Sequence, residues 1–269
     1  MKSYDAAREH ADFESEVERL RAQVELTWPQ EAKALSAFGL RDGMSVVDLG
    51  SGPGFTLARL LQWLPRSQFT GVELDPALHA RARADLPHTA RLTLINRSAL
   101  DTGLADASVD VVIGRYLFQH LDDPLAAARE AHRIVKPGGR LVVIDVDEAV
   151  WGLTDPPIPE LQQVMGRYAA AHASLGRDRK IGRRLWRLLK TAGFDQLQAQ
   201  TVLAHSDEVG LKAFASQLDL GRLAPLVRSG TISVAELESA RQARDQFLAS
   251  PDSIMMTVTL LIGGQKPLP

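Results

Sequence analysis

Ser45-Val-Val-Asp-Leu-Gly-Ser-Gly-Pro-Gly54 is a short β-branched apolar run that ends in three glycines, and Leu57, Leu60, Leu61 and Leu64 then recur at helical spacing. Strand, glycine turn and helix in that order form the first unit of an α/β fold. The unit repeats downstream. Phe69–Leu74 reads as a strand, Asp75-Pro76 opens a helix, and Leu92–Asn96 and Val109–Ile113 read as further strands. A helix around Pro124–Ile134 is broken by Lys136-Pro-Gly-Gly139 ahead of Leu141–Val146, which has the pattern of a fully buried strand. Apolar runs that are continuous rather than alternating belong to a parallel sheet covered on both faces, joined by right-handed crossovers.

Upstream of this core, Phe13, Val17, Leu20 and Val24 mark an amphipathic helix. Trp28-Pro29 is expected to interrupt it, and a second helix with Ala32, Leu35 and Phe38 stops at Gly39. Downstream the regularity loosens. Pro156, Pro157 and Pro159 predict an irregular segment from Trp151 to Pro159. Ile181, Leu185, Leu188, Leu189 and Ala192 form a helix stripe ending at Gly193, and Leu197–Leu203 and Ile254–Ile262 read as strands. The stretch between those two strands carries helical signals of its own, including a Ser233/Glu236 capping box before Leu237, Ala240 and Phe247. There is no internal repeat and no low-complexity segment.

The 269 residues are 45% hydrophobic and 24% charged, with 31 basic against 33 acidic side chains and no cysteine. This is the profile of a soluble globular protein, apolar enough to offset the conformational entropy of folding. The absence of cysteine excludes a disulfide scaffold, a thiolate zinc site, an iron–sulfur cluster and a cysteine nucleophile, and it fits a reducing cytoplasm. A formal charge of -2 argues against nucleic acid as the main partner. The apolar stretches fall short of the ~20 residues of a membrane-spanning helix, and Met1–Asp5 leads into polar residues with no secretion signal. At about 150 residues per domain, the length allows two small domains or one elaborated domain.

The chemistry centres on the glycine turn. Glycines let a ligand approach the backbone, and the following helix points free N–H groups and a positive dipole end at it. A dinucleotide fingerprint requires Gly-x-Gly-x-x-Gly, yet Phe55 stands at the third glycine position, so a pyrophosphate reading fails there. Glu73 ends the next strand about twenty residues on, where a carboxylate accepts from both hydroxyls of a ribose. Packing alone also explains a glycine turn, and a strand-end carboxylate is often a helix cap, the part that Asp75 plays before Pro76. Taken together, the two features point to a ligand with a ribose and no diphosphate.

Here the sequence resembles the class I S-adenosylmethionine-dependent methyltransferases, in particular the small-molecule branch that includes ubiquinone and menaquinone C-methyltransferases. The resemblance rests on Val46-Val-Asp-Leu-Gly-Ser-Gly-Pro-Gly54, Gly71-Val-Glu-Leu-Asp75, Ser108-Val-Asp-Val-Val112, Phe118-Gln-His-Leu-Asp-Asp-Pro124 and Ile134-Val-Lys-Pro-Gly-Gly-Arg-Leu141, in the family's order and spacing. It is weaker through Gly182-Arg-Arg-Leu-Trp186 and Leu189-Lys-Thr-Ala-Gly-Phe194. It implies a doubly wound, mostly parallel seven-stranded Rossmann-like sheet with the last strand antiparallel. In that scheme residues 1–40 are an N-terminal helical segment, and residues 41–269 are the methyltransferase domain with helical cap insertions near 147–180 and 205–250.

For the site, the resemblance implies S-adenosylmethionine as cofactor and no metal. Gly50, Ser51 and Gly52 would line its methionine and ribose part, Asp48 would reach the amino group, Glu73 the ribose hydroxyls, and Leu74 would pack on the adenine. Ser98 stands where the family has an Asp for the adenine amino group, so that contact would be neutral, with Ala99 contributing its backbone N–H. Arg115 would meet the methionine carboxylate or main chain of the cofactor, although arginine at a strand end is also common on surfaces.

Methyl transfer from a sulfonium chiefly requires a nucleophile held in line, where orientation supplies ~7–11 kcal/mol. A base is needed only for a poorly ionised nucleophile. His120 is the first candidate, with Tyr168, His172 and His205 behind it; His120 could equally bond a backbone carbonyl beside Leu121. The basic run Arg177-Asp-Arg-Lys180 with Arg183, Arg184, Arg187 and Lys190 reads as a solvated helix face, or as the mark of an acidic substrate if that face meets a ligand. Trp28 and Trp151 suggest aromatic pocket walls, with plain packing as the alternative. Three functions follow: direct methyl transfer to a small organic molecule, a non-methylating rearrangement or cyclisation on the same cofactor, and a non-catalytic partner subunit. No nucleic-acid or membrane partner is expected, and self-association into a homo-oligomer is left open.

Overall fold

In the computed structural model, which describes residues 13–150 and 152–269, the glycine turn joins strand β1 (Ser45–Leu49) to a helix, as its sequence requires. The elements run α1 (Phe13–Ala37), β1, α2 (Phe55–Trp63), β2 (Gln68–Val72), α3 (Pro76–Asp85), β3 (Leu92–Ile95), β4 (Val109–Arg115), α4 (Pro124–Ile134) and β5 (Val135–Asp145). There follow β6 (Gly152–Asp155), α5 (Pro159–Ser174), α6 (Leu185–Thr191), β7 (Asp195–His205), short helical turns, α7 (Val234–Ala249) and β8 (Ile254–Gln265). Strands β3-β2-β1-β4-β5 are parallel neighbours, and β8 runs antiparallel beside β5. The seven expected strands are therefore present, and β6 adds an eighth.

Consecutive strand residues face opposite layers. Val47, Leu49, Val112 and Val143 pack with Ala127 and Ala131 of α4 and with Leu185 and Leu189 of α6. Val46, Val111, Ile113, Val142 and Ile144 pack with Leu35 and Phe38 from the N-terminal side and with Leu57 and Leu60 of α2. Both faces are thus sealed, which explains strands with no polar alternation. A separate apolar cluster joins the two expected insertions: Ile158, Leu161 and Val164 of the first meet Phe214, Leu223, Ile232, Leu237, Ala240 and Phe247 of the second.

β8 is the seam of the molecule. Its residues Leu260–Gln265 pair with β5 and its residues Ile254–Thr257 pair with β6 on the same edge, while β7 occupies the other edge along nearly its full length.

Three expectations are corrected. Pro29 does not divide the first helix, because α1 runs unbroken from Phe13 to Ala37 with Pro29 inside it. The proline costs one hydrogen bond, and buried Val17, Val24, Leu26, Ala34 and Leu35 hold both halves to the core. The segment from Trp151 to Pro159 is not wholly irregular: β6 pairs with β8, and Pro159 is the first residue of α5, where its missing N–H is harmless. Trp151 lies outside the described residues, as do residues 1–12 of the expected N-terminal helical segment. Lys136-Pro-Gly-Gly139 lies inside β5 as a bulge, with Val109 opposite Val135 and Val111 opposite Arg140. A Cβ on Gly139 would stand 2.6 Å from the carbonyl oxygen of Asp110, so the bulge needs glycine there.

Candidate active site

Turning a parallel strand straight into a helix forces left-handed backbone at Gly50 (φ 66°), Gly52 (φ 54°) and Gly54 (φ 84°). The N–H groups of Gly50 and Ser51 both donate to the Val72 carbonyl, at 2.8 and 3.1 Å, which ties the loop to the end of β2. A Cβ on Gly50 would reach Leu117 at 2.8 Å, whereas one on Gly52 would meet nothing within 4 Å, so open space lies beside Gly52.

Glu73 braces this loop. Its Oε2 accepts from the Gly52 N–H at 2.8 Å and its Oε1 from the Asp75 N–H at 2.7 Å. Burial pushes its carboxyl above the ordinary range, against the pull of those N–H groups. The Asn96 amide donates to the carbonyls of Glu73 (2.8 Å) and Leu74 (3.1 Å), which fixes the β2 tip against β3. Asp75 caps α3 by accepting from Ala77 and Leu78.

Asp48, one strand over, is 2% exposed, and its Oδ2 is buried with no hydrogen-bond partner. Burial drives its carboxyl from 3.8 to about 7; the Arg115 cation opposes that rise, and the carboxylates of Glu73 and Glu31 add to it. Arg115 is largely committed elsewhere. It grips Glu31 of α1 through Nε at 2.8 Å and Nη2 at 3.0 Å, and Nη2 also reaches the Gln23 carbonyl at 3.1 Å. Tyr116 follows in left-handed backbone (φ 51°), with its ring under the Arg115 guanidinium at 4.5 Å and its hydroxyl 2.7 Å from that of Thr259. Non-glycine residues in that conformation are uncommon and gather at functional sites.

The ten residues singled out from sequence (Asp48, Gly50, Ser51, Gly52, Glu73, Leu74, Ser98, Ala99, Arg115 and His120) all line one cavity of about 230 Å³. The Ser98 hydroxyl oxygen accepts from the Leu100 N–H at 3.1 Å and so keeps its own proton to donate. Tyr168 also lines the cavity. His205 does not: its Nδ1 accepts from the Asp207 N–H at 3.1 Å as a helix cap. Trp28 packs edge-on against Trp63 at 6.0 Å in the core beneath the sheet.

His120 sits on a single helical turn, Phe118–His120, that follows β4. Its ring lies 6.4 Å from that of His172, which in turn packs 4.2 Å from Tyr168. Burial, followed by the nearby cations Arg179 and Arg177 and by His172, holds the His120 imidazole well below its usual pKa, so it is neutral at physiological pH. The basic run is split by the fold. Arg184 stays on the surface with Asp178, Arg183 pairs with Asp147, and Arg179 turns inward to the cavity.

Arg19 and Gln23 of α1, Gln119, Gln217 and Arg222 also line the cavity and were not singled out from sequence. Helical periodicity hides Arg19 and Gln23 among surface charges, and Gln217 and Arg222 lie in short turns with no period. Among the described residues no cluster of His, Asp and Glu is arranged to hold a metal, and no helix is long and apolar enough to cross a membrane.

Residues 47–143 match the family described as methyltransferase domain. An uncharacterized 37.1 kDa protein in a transposon of Streptomyces fradiae is 31% identical over 163 residues, covering 60% of this chain and 46% of that protein. The ubiquinone/menaquinone biosynthesis C-methyltransferase of Paracoccus denitrificans is 30% identical over 135 residues, covering 48% of this chain and 50% of its own. The chain thus spans about half the length of these curated relatives. Among solved structures, Haemonchus contortus phosphoethanolamine N-methyltransferase 2, in complex with phosphomonomethylethanolamine and S-adenosylhomocysteine, superposes with a TM-score of 0.57 at 18% identity. The superposition covers 89% of this chain and 53% of that one, and it speaks for the fold.

Proposed function

We propose that the chain, whose residues 47–143 match the family described as methyltransferase domain, is a class I S-adenosylmethionine-dependent methyltransferase that transfers a methyl group from S-adenosylmethionine to a small organic molecule by direct in-line displacement. The observation that carries this reading is the buried, unpartnered Asp48 carboxylate facing the same cavity as a glycine loop braced by Glu73. A buried carboxylate oxygen without a donor is costly. A ligand ammonium group would satisfy it, and the open space beside Gly52 admits the ligand.

In this reading Gly50, Ser51 and Gly52 line the methionine and ribose part of the cofactor, and Glu73 takes the ribose hydroxyls while it holds the Gly52 N–H. Leu74 packs on the adenine. Ser98 supplies a hydroxyl proton in place of a carboxylate, and Ala99 supplies its backbone N–H. Arg115 offers the cofactor carboxylate only what Glu31 leaves free. When bound, the cofactor supplies an activated methyl on a sulfonium; the chain's own task is orientation and the exclusion of water. His120 is neutral, so it can receive a proton from an acceptor group or hold that group in place. Turnover unchanged by His120→Ala would remove it from the mechanism.

We read the two insertions near 147–180 and 205–250 as one cap on the 41–269 domain, supported by their shared apolar cluster and by the cavity residues Tyr168, Arg179, Gln217 and Arg222 that they contribute. A cytoplasmic setting without nucleic-acid or membrane partners belongs to the same reading, supported by the cysteine-free composition, the near-balanced charge and the lack of a long apolar helix among the described residues; self-association is left to measurement. Calorimetry with S-adenosylmethionine and S-adenosylhomocysteine tests the core of it: binding of both is expected, and binding of neither refutes it. A product heavier by one methyl group then separates transfer from a rearrangement.

A further inference from the structure

Three arginines reach the cavity from the cap side and from α1, and they are not equally compensated. Arg19 holds Glu16 through two contacts of 2.7 and 2.6 Å. Arg179 pairs with Glu148, Nε to Oε2 at 2.6 Å, and gives Nη1 to the Gln119 side-chain oxygen at 3.1 Å. Arg222, on the turn Gly221–Leu223, has no carboxylate partner among the described residues. Its Nη2 reaches the Gln217 carbonyl at a weak 3.4 Å and the Met165 sulfur at 3.6 Å, and its Nε is buried with no partner at all.

The Tyr168 ring stands between two of these cations, 5.2 Å from the Arg179 guanidinium and 5.4 Å from that of Arg222. It offers both a π-face but no formal charge. The carboxylates in the cavity wall lie at other places: Asp48 at the end of β1, Glu73 bracing the glycine loop, and Asp123 as the cap of α4, accepting from Ala126 at 2.9 Å. Asp122 faces Gly176.

Arg222 is half-buried, with its Nε withdrawn from water and unpaired, an expensive arrangement for a cation, and its guanidinium fork fits the planar geometry of a carboxylate. With Arg19 and Arg179 neutralised in place, Arg222 is the cation at the cap end of the cavity that no carboxylate among the described residues compensates. We propose that Arg222 is a specificity-determining residue of the methyl-transfer site and that the acceptor molecule is a small organic monoanion whose carboxylate it binds. This rests on the proposed methyltransferase reading and adds the substrate class to it.

The test uses the full chain labelled with ¹⁵N-arginine and first titrated with S-adenosylhomocysteine. The Arg222 Nε–Hε resonance is identified by its loss in Arg222→Lys, then followed during titration with acetate, acetamide and inorganic phosphate, with chloride holding ionic strength constant. Acetate should shift it saturably, with a dissociation constant at least about tenfold below that for acetamide, equivalent to ~1.4 kcal/mol.

Equal responses to acetate and acetamide, or none to either, overturn the proposal. Tighter binding of phosphate than of acetate overturns the monoanion assignment in favour of a phosphoryl group. If the lysine variant does not fold, Arg222→Gln identifies the resonance, and the thermal shift of the wild-type chain in acetate against acetamide asks the same question without a variant. Binding of S-adenosylhomocysteine with no acetate response refutes the Arg222 assignment alone; an acetate response without that binding refutes the methyltransferase reading alone.

Discussion

Replacing Asp48 with Asn should strengthen the fold and weaken the site, and both changes follow from one buried oxygen. In the ligand-free protein burial carries the Asp48 carboxyl from 3.8 to about 7. The unfolded chain releases that proton near the ordinary value, whereas the folded chain keeps it to about 7. Between these limits the native state binds more protons, so stability falls as pH rises through the window and levels off above it. At ~1.36 kcal/mol per pH unit, the loss reaches ~4 kcal/mol.

The asparagine side chain would have the shape of the protonated carboxyl and no such loss. Urea unfolding of wild type and Asp48→Asn from about pH 4 to about pH 8 should give curves that start close together and diverge by up to ~4 kcal/mol in favour of the variant. Asp145, also raised to about 7 by burial, contributes equally to both proteins and cancels in the difference. The variant should bind S-adenosylmethionine at least about tenfold more weakly, because it gives up a charge-assisted hydrogen bond worth ~1.5–3 kcal/mol. Parallel stability curves across the pH range would refute the assignment of the held proton to Asp48.

Four further outcomes are expected. Glu73→Gln leaves one acceptor oxygen for two backbone N–H groups, so calorimetry should show S-adenosylhomocysteine affinity falling by about tenfold to a hundredfold. Glu31→Ala strands the Arg115 cation, 7% exposed, and should cost ~3–5 kcal/mol in urea unfolding. Gly139→Ala places a methyl 2.6 Å from the Asp110 carbonyl oxygen and should destabilise by ~1–3 kcal/mol, seen as a lower melting temperature. With His120 held neutral, the pH profile of kcat should show no protonation limb near ~6.5 from this residue; a limb there that vanishes in His120→Ala would contradict that state.

The half of the site that was legible in sequence is the half built from one strand, one loop and the next strand tip. Asp48, Gly50, Gly52 and Glu73 sit where backbone geometry dictates residue type, so their spacing carries their placement. The other half is assembled from residues whose local sequence has no reason to announce them. Arg19 is an ordinary helix charge until α1 brings it to the cavity, and Arg222 lies in a run of short turns.

Arg179 belongs to a basic run in which neighbouring arginines do face solvent, and only the turn before α6 separates it from them. Pro29 was misleading for the opposite reason: its local cost is small beside the apolar burial on both sides of it. β6 has four residues and follows no alternation, because its pairing is set by β8, some hundred residues away in the chain.

That seam also bears on the order in which the molecule can be assembled. β5, β6 and β7 all find a neighbour in β8, and none of them precedes it by fewer than about fifty residues. During synthesis the parallel strands can pair as they emerge, but β5 is left with one open edge and β6 and β7 with no neighbour until residues 254–265 arrive. The cap and the sheet would therefore become one cooperative unit in a single late step, slow because its contacts are distant in sequence. A nascent chain stopped short of Ile254 would expose an unpaired strand edge to its neighbours, and aggregation would be its characteristic failure.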